Sequence, residues 1–359
     1  MATLVTSIRI RPALVGLAIL MLAGAELTPA TPTVDPVTGF LGSCRILGSL
    51  SQGNLTVVAV RGGLKAGGAP ISTLDEAMAG GKVVVSETGN GGTVNTLVLR
   101  NHTDRPVFIM AGEILAGAKQ DRILQQDVLL PAGGKSVHVP AFCVEHGRWR
   151  EQSTAFYSEK VAAPVAVRRA AQASKDQSVV WAEVKSNNEA VSVSAPTGTL
   201  SATYKSGRVV EVRKAFIDAL SRLPRNFPSA VGVVVLVNGQ VAGVDLFRDP
   251  EIFGHLWAKL LDSYIAEAVR REKEPAVPVA AGADGFLKLA QTSRIVLERT
   301  PGLGQQVALE GEGLKGAGVV LESPVHLDLF PYVAGAHRPT LDRQLLHRQN
   351  IAPPSNLRP

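Results

Sequence analysis

Two stretches hold the residues whose types and spacing could do chemistry. The first is Gly112-Glu113-Ile114-Leu115-Ala116-Gly117-Ala118-Lys119-Gln120-Asp121-Arg122. The second is Cys143-Val144-Glu145-His146-Gly147-Arg148-Trp149. Gly112, Gly117 and Gly147 let backbone amides come close to a ligand. Gln120 offers an amide, and Arg122 and Arg148 offer planar forks for phosphate or carboxylate. Trp149 can stack on a ring. Glu145 and Glu113 are the candidate general bases of a hydrolase. The same acids could instead pair with Arg122 and Arg148 and only hold two loops together.

Side chains alternate by face along a strand. If residues 136–146 are one strand, Cys143 and Glu145 share a face and His146 points away from both. That argues against a Cys–His nucleophile pair, because a thiolate needs a base or positive field within hydrogen-bond reach. Cys143 reads as a small buried residue, or as one end of a disulfide with Cys44 in an oxidising compartment. His102, His138, His146, Glu113 and Glu145 lie in one β region. His138 and His146 are eight residues apart, about 26 Å in an extended strand, too far to share one ion. No metal and no cofactor are expected. His255 reads as a boundary residue, and His326 as a second candidate in a late strand.

The elements that must position these groups follow from pattern. Residues 56–60 form a β-branched run. Ser72-Thr73-Leu74-Asp75-Glu76 is a helix start, with an acid three positions after each hydroxyl. Residues 82–87 are strand-like, and from 94 to 144 short strands alternate with turn signals about every ten residues. Residues 159–176 have weak helical character, 187–201 are turn-rich, and Val179-Val180-Trp181 is an apolar anchor between them. Val212, Ala215, Phe216, Ala219, Leu220 and Leu223 follow helical spacing. Residues 230–237 are a continuous apolar run. Asn238-Gly239 turns it into a hairpin whose second strand reaches Phe247. Asp249-Pro250 opens a long helix with an apolar stripe from Ile252 to Ala268. Residues 271–283 read as a linker, and 294–298, 307–310, 319–322 and 325–329 as closing strands. The expected fold is α+β. Its N-terminal part is a β-rich sandwich or partial barrel, followed by a helix–hairpin–helix unit and closing C-terminal strands.

The first 25 residues have the form of a secretory signal. Arg9 and Arg11 precede a 13-residue apolar run, and Ala23-Gly24-Ala25 suits cleavage. Without it, 35 bases face 31 acids, a balance of +4 that is no nucleic-acid footprint. A cut after Ala30 leaves +5. An exported, periplasmic or secreted protein is expected, with no stable membrane anchor after cleavage and no nucleic-acid partner. Residues 26–45 read as a flexible lead, 46–330 as one domain with halves at 46–158 and 177–330, and 331–359 as a disordered tail. Two cysteines in 359 residues cannot form a disulfide-dense scaffold.

The order of these residues resembles the ARG and rhodanese-phosphatase-superfamily-associated protein domain of the first type, over about residues 45–330. The likeness rests on Leu74-Asp75-Glu76-Ala77, Glu87, Gly112-Glu113, Gly117, Gln120, Arg122 and the Cys-Val-Glu-x-Gly-Arg-Trp string. It continues through Val180-Trp181, Thr197-Gly198, Asn238-Gly239, Trp257 and the run around His326. The resemblance expects Gly where Ala118 stands. It also implies, through the neighbours in the family's name, a role around ADP-ribose or related nucleotides. The expected function is therefore an exported ligand-binding or accessory protein for a small or anionic ligand. Its pocket would be built from Glu113, Gln120, Arg122, Glu145 and Arg148, with Trp149 as wall. The alternatives are a hydrolase of a nucleotide-like substrate and a structural protein of the cell envelope.

Overall fold

Asp35 stands before Pro36, an N-cap followed by a proline at the first helical position. Helix α1 (Pro36–Ser43) starts there, and Asp35 Oδ1 accepts from the amides of Val37 and Thr38. The flexible lead expected over 26–45 is thus corrected from Asp35 onward. Val37, Phe40 and Leu41 are buried, and this burial orders a segment whose composition suggested none. The computed structural model describes residues 35–62, 69–89, 95–276 and 282–332. The expected signal, the rest of the lead, the tail beyond 332 and the start of the strand at Val94 lie outside the described residues.

The chain continues as the hairpin β1 (Arg45–Gln52) and β2 (Leu55–Arg61), then β3 (Ser72–Thr73), α2 (Leu74–Ala79), β4 (Val83–Glu87) and β5 (Thr96–Asn101). Next come β6 (Val107–Ile109), β7 (Glu113–Gly117), β8 (Arg122–Leu124), β9 (Val128–Leu130), β10 (Val137–Cys143) and β11 (Phe156–Ala162). A helical stretch follows: α3 (Val165–Ser174), α4 (Gln177–Ala190), α5 (Ser201–Lys205), α6 (Gly207–Leu220) and α7 (Leu223–Asn226). The chain closes with β12 (Gly232–Val237), β13 (Gln240–Phe247), α8 (Pro250–Arg270), α9 (Gly282–Gln291), β14 (Arg294–Arg299), β15 (Gln305–Gly311), β16 (Leu314–Val320) and β17 (Pro324–Pro331).

The strands make three sheets, and the fold is α+β. The largest has the order β1-β2-β12-β13-β17-β16-β15-β14, with every neighbour antiparallel. The second has the order β11-β7-β8-β10-β5-β4, and a small third sheet the order β3-β6-β9. The first sheet joins the start of the chain to its end, because β2 pairs with β12 from Leu55↔Val237 to Val60↔Gly232. The suggested halves at 46–158 and 177–330 therefore do not exist as separate bodies. The described residues all fall in one compact unit that begins at Asp35.

The uninterrupted apolar run at 230–237 has its reason here. Val233 and Val235 pack with Phe253, Leu256 and Leu260 of α8 on one face. Val234 and Leu236 pack with Phe40 of α1 and Phe286 and Leu287 of α9 on the other. A strand covered on both faces loses its polar alternation. The second sheet is covered likewise, by α2 on one face and by Val167, Val180 and Val184 of α3 and α4 on the other.

α8 carries more than its apolar stripe. Lys259, Asp262, Ser263 and Glu267 are buried as well, each with a polar partner. The two cysteines are free and buried. Cys44 belongs to the core under α1 and α9, while Cys143 ends β10 in the second sheet. The disulfide considered between them is not formed, since each thiol is enclosed in a different part of the fold.

Candidate functional site

The two polar stretches meet because β8 and β10 pair, with Cys143 opposite Arg122. Beyond Cys143 the chain leaves the strand and Glu145 turns in. Its Oε2 accepts from the Asp121 amide at 3.1 Å and from Arg148 Nε at 2.9 Å, and stands 2.6 Å from Arg148 Nη2. Arg148 also donates to the carbonyl of Ala118 at 2.7 Å and to Asp121 Oδ1 at 3.1 Å. Gln120 Nε2 donates to the Glu145 carbonyl at 2.8 Å, and Asp121 Oδ2 accepts from Thr199 Oγ1 at 2.7 Å. The three charged groups thus tie together the turn at 117–121, the turn at 145–148 and the segment before α5.

The electrostatics follow from that brace. Burial pushes the Glu145 carboxyl up, but the bonds from Arg148, Thr197 and Asp121 outweigh it and hold the group below the usual carboxylate range. Burial likewise opposes the charge on Arg148, and Glu145 and Asp121 more than restore it. A carboxylate held this way is a poor general base. Arg148→Met should lower stability by about 2–3 kcal/mol, the scale of a lost set of hydrogen bonds to charged groups. Urea unfolding measures it, and a loss within error would show that Glu145 and Asp121 do not depend on the guanidinium.

Arg122 lies beside this brace and is completely buried. Nη1 donates to Gln120 Oε1 at 3.2 Å, and Nη2 stands 3.6 Å from Glu87 Oε1. The Arg122 Nε and Nη2 and both Glu87 carboxylate oxygens make no hydrogen bond. This is an ion contact in which neither charge is fully satisfied. The Trp149 ring covers it, 5.9 Å from the guanidinium carbon and 5.5 Å from Lys119 Nζ, and is 38% exposed.

The glycines serve the chain's own close approaches. Gly117 has φ +107, and a Cβ there would come within 2.5 Å of Ser153 Oγ. Gly147 donates its N–H to the Thr197 carbonyl at 2.8 Å, and a Cβ would meet the Thr197 Cα at 3.0 Å. Ala118, where the resemblance expects Gly, takes φ +40, a left-handed conformation that glycine adopts without strain. Its amide bonds Ser153 Oγ and its carbonyl takes Arg148, and these bonds hold it there.

Glu113 is not part of this corner. Its carboxylate is buried between the Met110 amide, which it accepts at 2.8 Å, and Lys259, with which it makes a short charged bond. Lys259 also meets Asp75 Oδ2 at 2.9 Å. Burial pushes the Glu113 carboxyl up against the pull of Lys259. The single expected pocket of Glu113, Gln120, Arg122, Glu145 and Arg148 is therefore divided between two places.

A cavity of about 500 Å³ does adjoin the corner. α4 forms one wall through Ser178, Trp181, Val184, Lys185 and Asn188, and residues 193–198 form the other, with His146 and Gly147 at one end. The Trp181 and His146 rings stand edge to face, 4.4 Å between centroids. Gln177 sets the start of α4 by mimicking a strand neighbour. It accepts from the Cys143 amide and donates to the Cys143 carbonyl, both at 2.8 Å. Cys143 itself bonds the Glu145 carbonyl at 3.1 Å, and burial raises its thiol, so it stays protonated. Among the described residues no group of three His, Cys, Asp or Glu side chains could hold a metal ion, and no helix is long and apolar enough to cross a membrane.

Sequence reasoning named His326 but missed the polar cluster around it. His326 Nδ1 lies 2.8 Å from Asp127 Oδ2, and its Nε2 3.1 Å from Asp245 Oδ1. Arg168 Nη1 reaches Asp245 Oδ1 at 2.7 Å and Asp328 Oδ2 at 2.9 Å, and the Tyr264 hydroxyl reaches Asp245 Oδ2 at 2.5 Å. All six residues are buried. The available signal was an acid in an apolar strand, at Asp245 and again at Asp328. His255, by contrast, is a half-exposed partner of Glu76 at 3.0 Å.

Fold and site define an α+β protein of two large antiparallel sheets and a small mixed one, with a motif-braced corner beside a cavity of ligand size. The model of the ARG and Rhodanese-Phosphatase-superfamily-associated Protein domain family matches residues 43–330, and the chain belongs to that family. Neither the curated proteins nor the solved structures give a match.

Proposed function

We propose that this chain is an exported accessory protein that binds a small ligand with a flat heteroaromatic ring, of the nucleoside or nucleotide kind. The cavity between α4 and residues 193–198 carries the reading. Its volume of about 500 Å³ lies inside the range of about 300–1,000 Å³ common to small-molecule sites. Trp181 and His146 offer ring faces and edges for stacking. Val184 and Val193 supply apolar wall, and Lys185 stands at the rim where an anionic substituent would project. Binding is favoured over hydrolysis because Glu145, beside the cavity, is already spent on Arg148 and the Asp121 amide, and Glu189, the acid that lines it, is exposed and pairs with Lys185 at 3.9 Å. Export rests on Arg9, Arg11 and the apolar run at 13–25.

Calorimetric titration with adenosine, AMP and ADP-ribose tests the site, with ribose 5-phosphate as the control that lacks a base. The base-bearing ligands are expected to bind and the control not to. Stacking of a base on an aromatic side chain contributes about 1–3 kcal/mol. Trp181→Ala should therefore weaken binding by about tenfold or more while leaving the circular dichroism unchanged. Equal binding of the control, or an unchanged affinity in Trp181→Ala, would sink the proposal.

A further inference from the structure

A second cavity opens where two helix ends meet. α8 ends at Arg270 with Arg271 as its C-cap, and α3 begins at Val165. Between them lies a space of about 270 Å³, bordered by Arg169, Arg270, Arg271, Gln240, Glu267 and Glu274. It shares no lining residue with the cavity beside Trp181.

Its groups have a clear division of labour. Glu267 Oε2 accepts from the Ala166 amide at 3.1 Å, in the first turn of α3, and its Oε1 accepts from Arg270 Nη1 at 3.2 Å. Arg270 Nη2 also pairs with Glu183 Oε1 of α4 at 2.7 Å. Arg271 Nε donates to Glu274 Oε2 at 2.7 Å and its Nη2 to Gln240 Oε1 at 3.3 Å. Each guanidinium has five N–H groups in a fixed fork, so these bonds leave donors on Arg270 and Arg271. Two of the arginines sit at the carbonyl end of α8, where the helix dipole favours cations.

The positive charge is nonetheless crowded. Burial holds Arg169 below the usual guanidinium range, and repulsion from Arg270 and Arg271 adds to it, against the pull of Glu267 and Glu183. An oxyanion in the space would relieve that crowding and accept from several forks at once. Glu274 is the weakest competitor. Its pair with Arg271 is half-exposed, a class of ion pair worth little in water.

We propose that this cavity is a binding site for a phosphate-class oxyanion, held by Arg169, Arg270 and Arg271 with Gln240 at the rim. Glu183, Glu267 and Glu274 also face the arginines, so the affinity is modest and falls with salt. The site is independent of the nucleoside-type reading of the first cavity.

Titration of the full chain with sodium pyrophosphate and with inorganic phosphate at low ionic strength tests it, with sodium chloride at matched ionic strength as control. Pyrophosphate should bind one per chain. Arg169→Gln and Arg271→Gln should each weaken it by about tenfold, the scale of one lost charge-assisted hydrogen bond. Glu274→Gln should tighten it. Arg271 is near the surface, so its variant decides the matter if Arg169→Gln does not fold. Trp181→Ala should leave pyrophosphate binding unchanged, which separates this site from the first cavity. A response equal to that of chloride, or unchanged binding in Arg271→Gln, would overturn the proposal.

Discussion

Arg168→Met should cost about 3–5 kcal/mol of folding stability, the scale of removing one partner from a buried ion pair. The side chain is 1% exposed and reaches two acids on neighbouring strands, Asp245 of β13 and Asp328 of β17. Burial opposes its charge, but Asp245 and Asp328 hold the guanidinium well above its ordinary range. Methionine keeps much of the volume and leaves His326 as the one cation of the cluster, 3.1 Å from Asp245, with none bonded to Asp328. Gly112 shows how closely the site is built around Arg168. It has φ +81, and a Cβ there would lie 2.5 Å from the Arg168 Cγ. Burial also pushes Asp328 up to about 7, with Arg168 pulling the other way. Without the arginine, Asp328 should protonate at still higher pH, so the cost of the substitution should shrink as the solution is acidified. Urea unfolding of both proteins at pH 5 and pH 8 measures this. A loss below about 1 kcal/mol at pH 8 would show that the acids find other cations.

Alkaline pH should weaken the fold through His326. Burial pushes the imidazole down, yet Asp127 and Asp245 outweigh it and raise it from 6.5 to about 10. Arg168 and Asp328 are the other charged groups of the cluster, and Phe247 stacks on the ring at 4.4 Å. A group with a raised folded pKa binds more protons when folded than when unfolded. Its contribution is complete below about 6.5 and is lost as pH rises toward about 10. The slope reaches about 1.4 kcal/mol per pH unit within that window, for a total on the order of a few kcal/mol. Unfolding free energies measured from pH 6.5 to pH 10 should decline accordingly, and the His326 ring nitrogens should give imidazolium resonances at pH 8. A neutral imidazole at pH 8 would falsify the assignment.

Both predictions concern a buried cluster of which local pattern marks His326 alone, whereas the local devices were legible. Thr73 and Glu76 make the capping box that their spacing predicts. Asp249 caps α8 through the Ile252 amide at 2.9 Å. Asn238 and Gly239 take φ +52 and +79, as a two-residue hairpin turn requires. Three of the four closing strands fall where they are expected, while the one expected at 319–322 runs instead over Leu314–Val320. Each of these is decided within a few residues, by a cap, a turn or a period.

Beside α1, the helices α4 and α9 were not legible, and α4 walls the cavity. α4 was read as an apolar anchor followed by turns. Its buried residues include Val180, Val184, Glu183, Asn187 and Asn188, so no apolar stripe marks it. Side-chain bonds hold it instead: Gln177 to Cys143, Asn187 to Thr203 and Asn188 to the Thr199 carbonyl. α9 was partly absorbed into a linker because Gly282 and Gly285 weaken its helical character. Its Phe286 and Leu287 gain their place by covering the outer face of the first sheet.

The sequence by itself determined the α+β class, most strands of the β region, the hairpin, the long helix and the two polar stretches. Each of those rests on the short-range periods and conformational preferences of neighbouring residues. Only the tertiary structure decided what the polar residues do. It turned Glu145, Arg148 and Asp121 into a brace, moved Glu113 to Lys259, and gathered Asp127, Arg168, Asp245, His326 and Asp328 into one buried cluster. The physical reason is that a buried charge is tolerable only beside its partners, and here those partners come from elements as far apart as the turn before β9, α3 and β17.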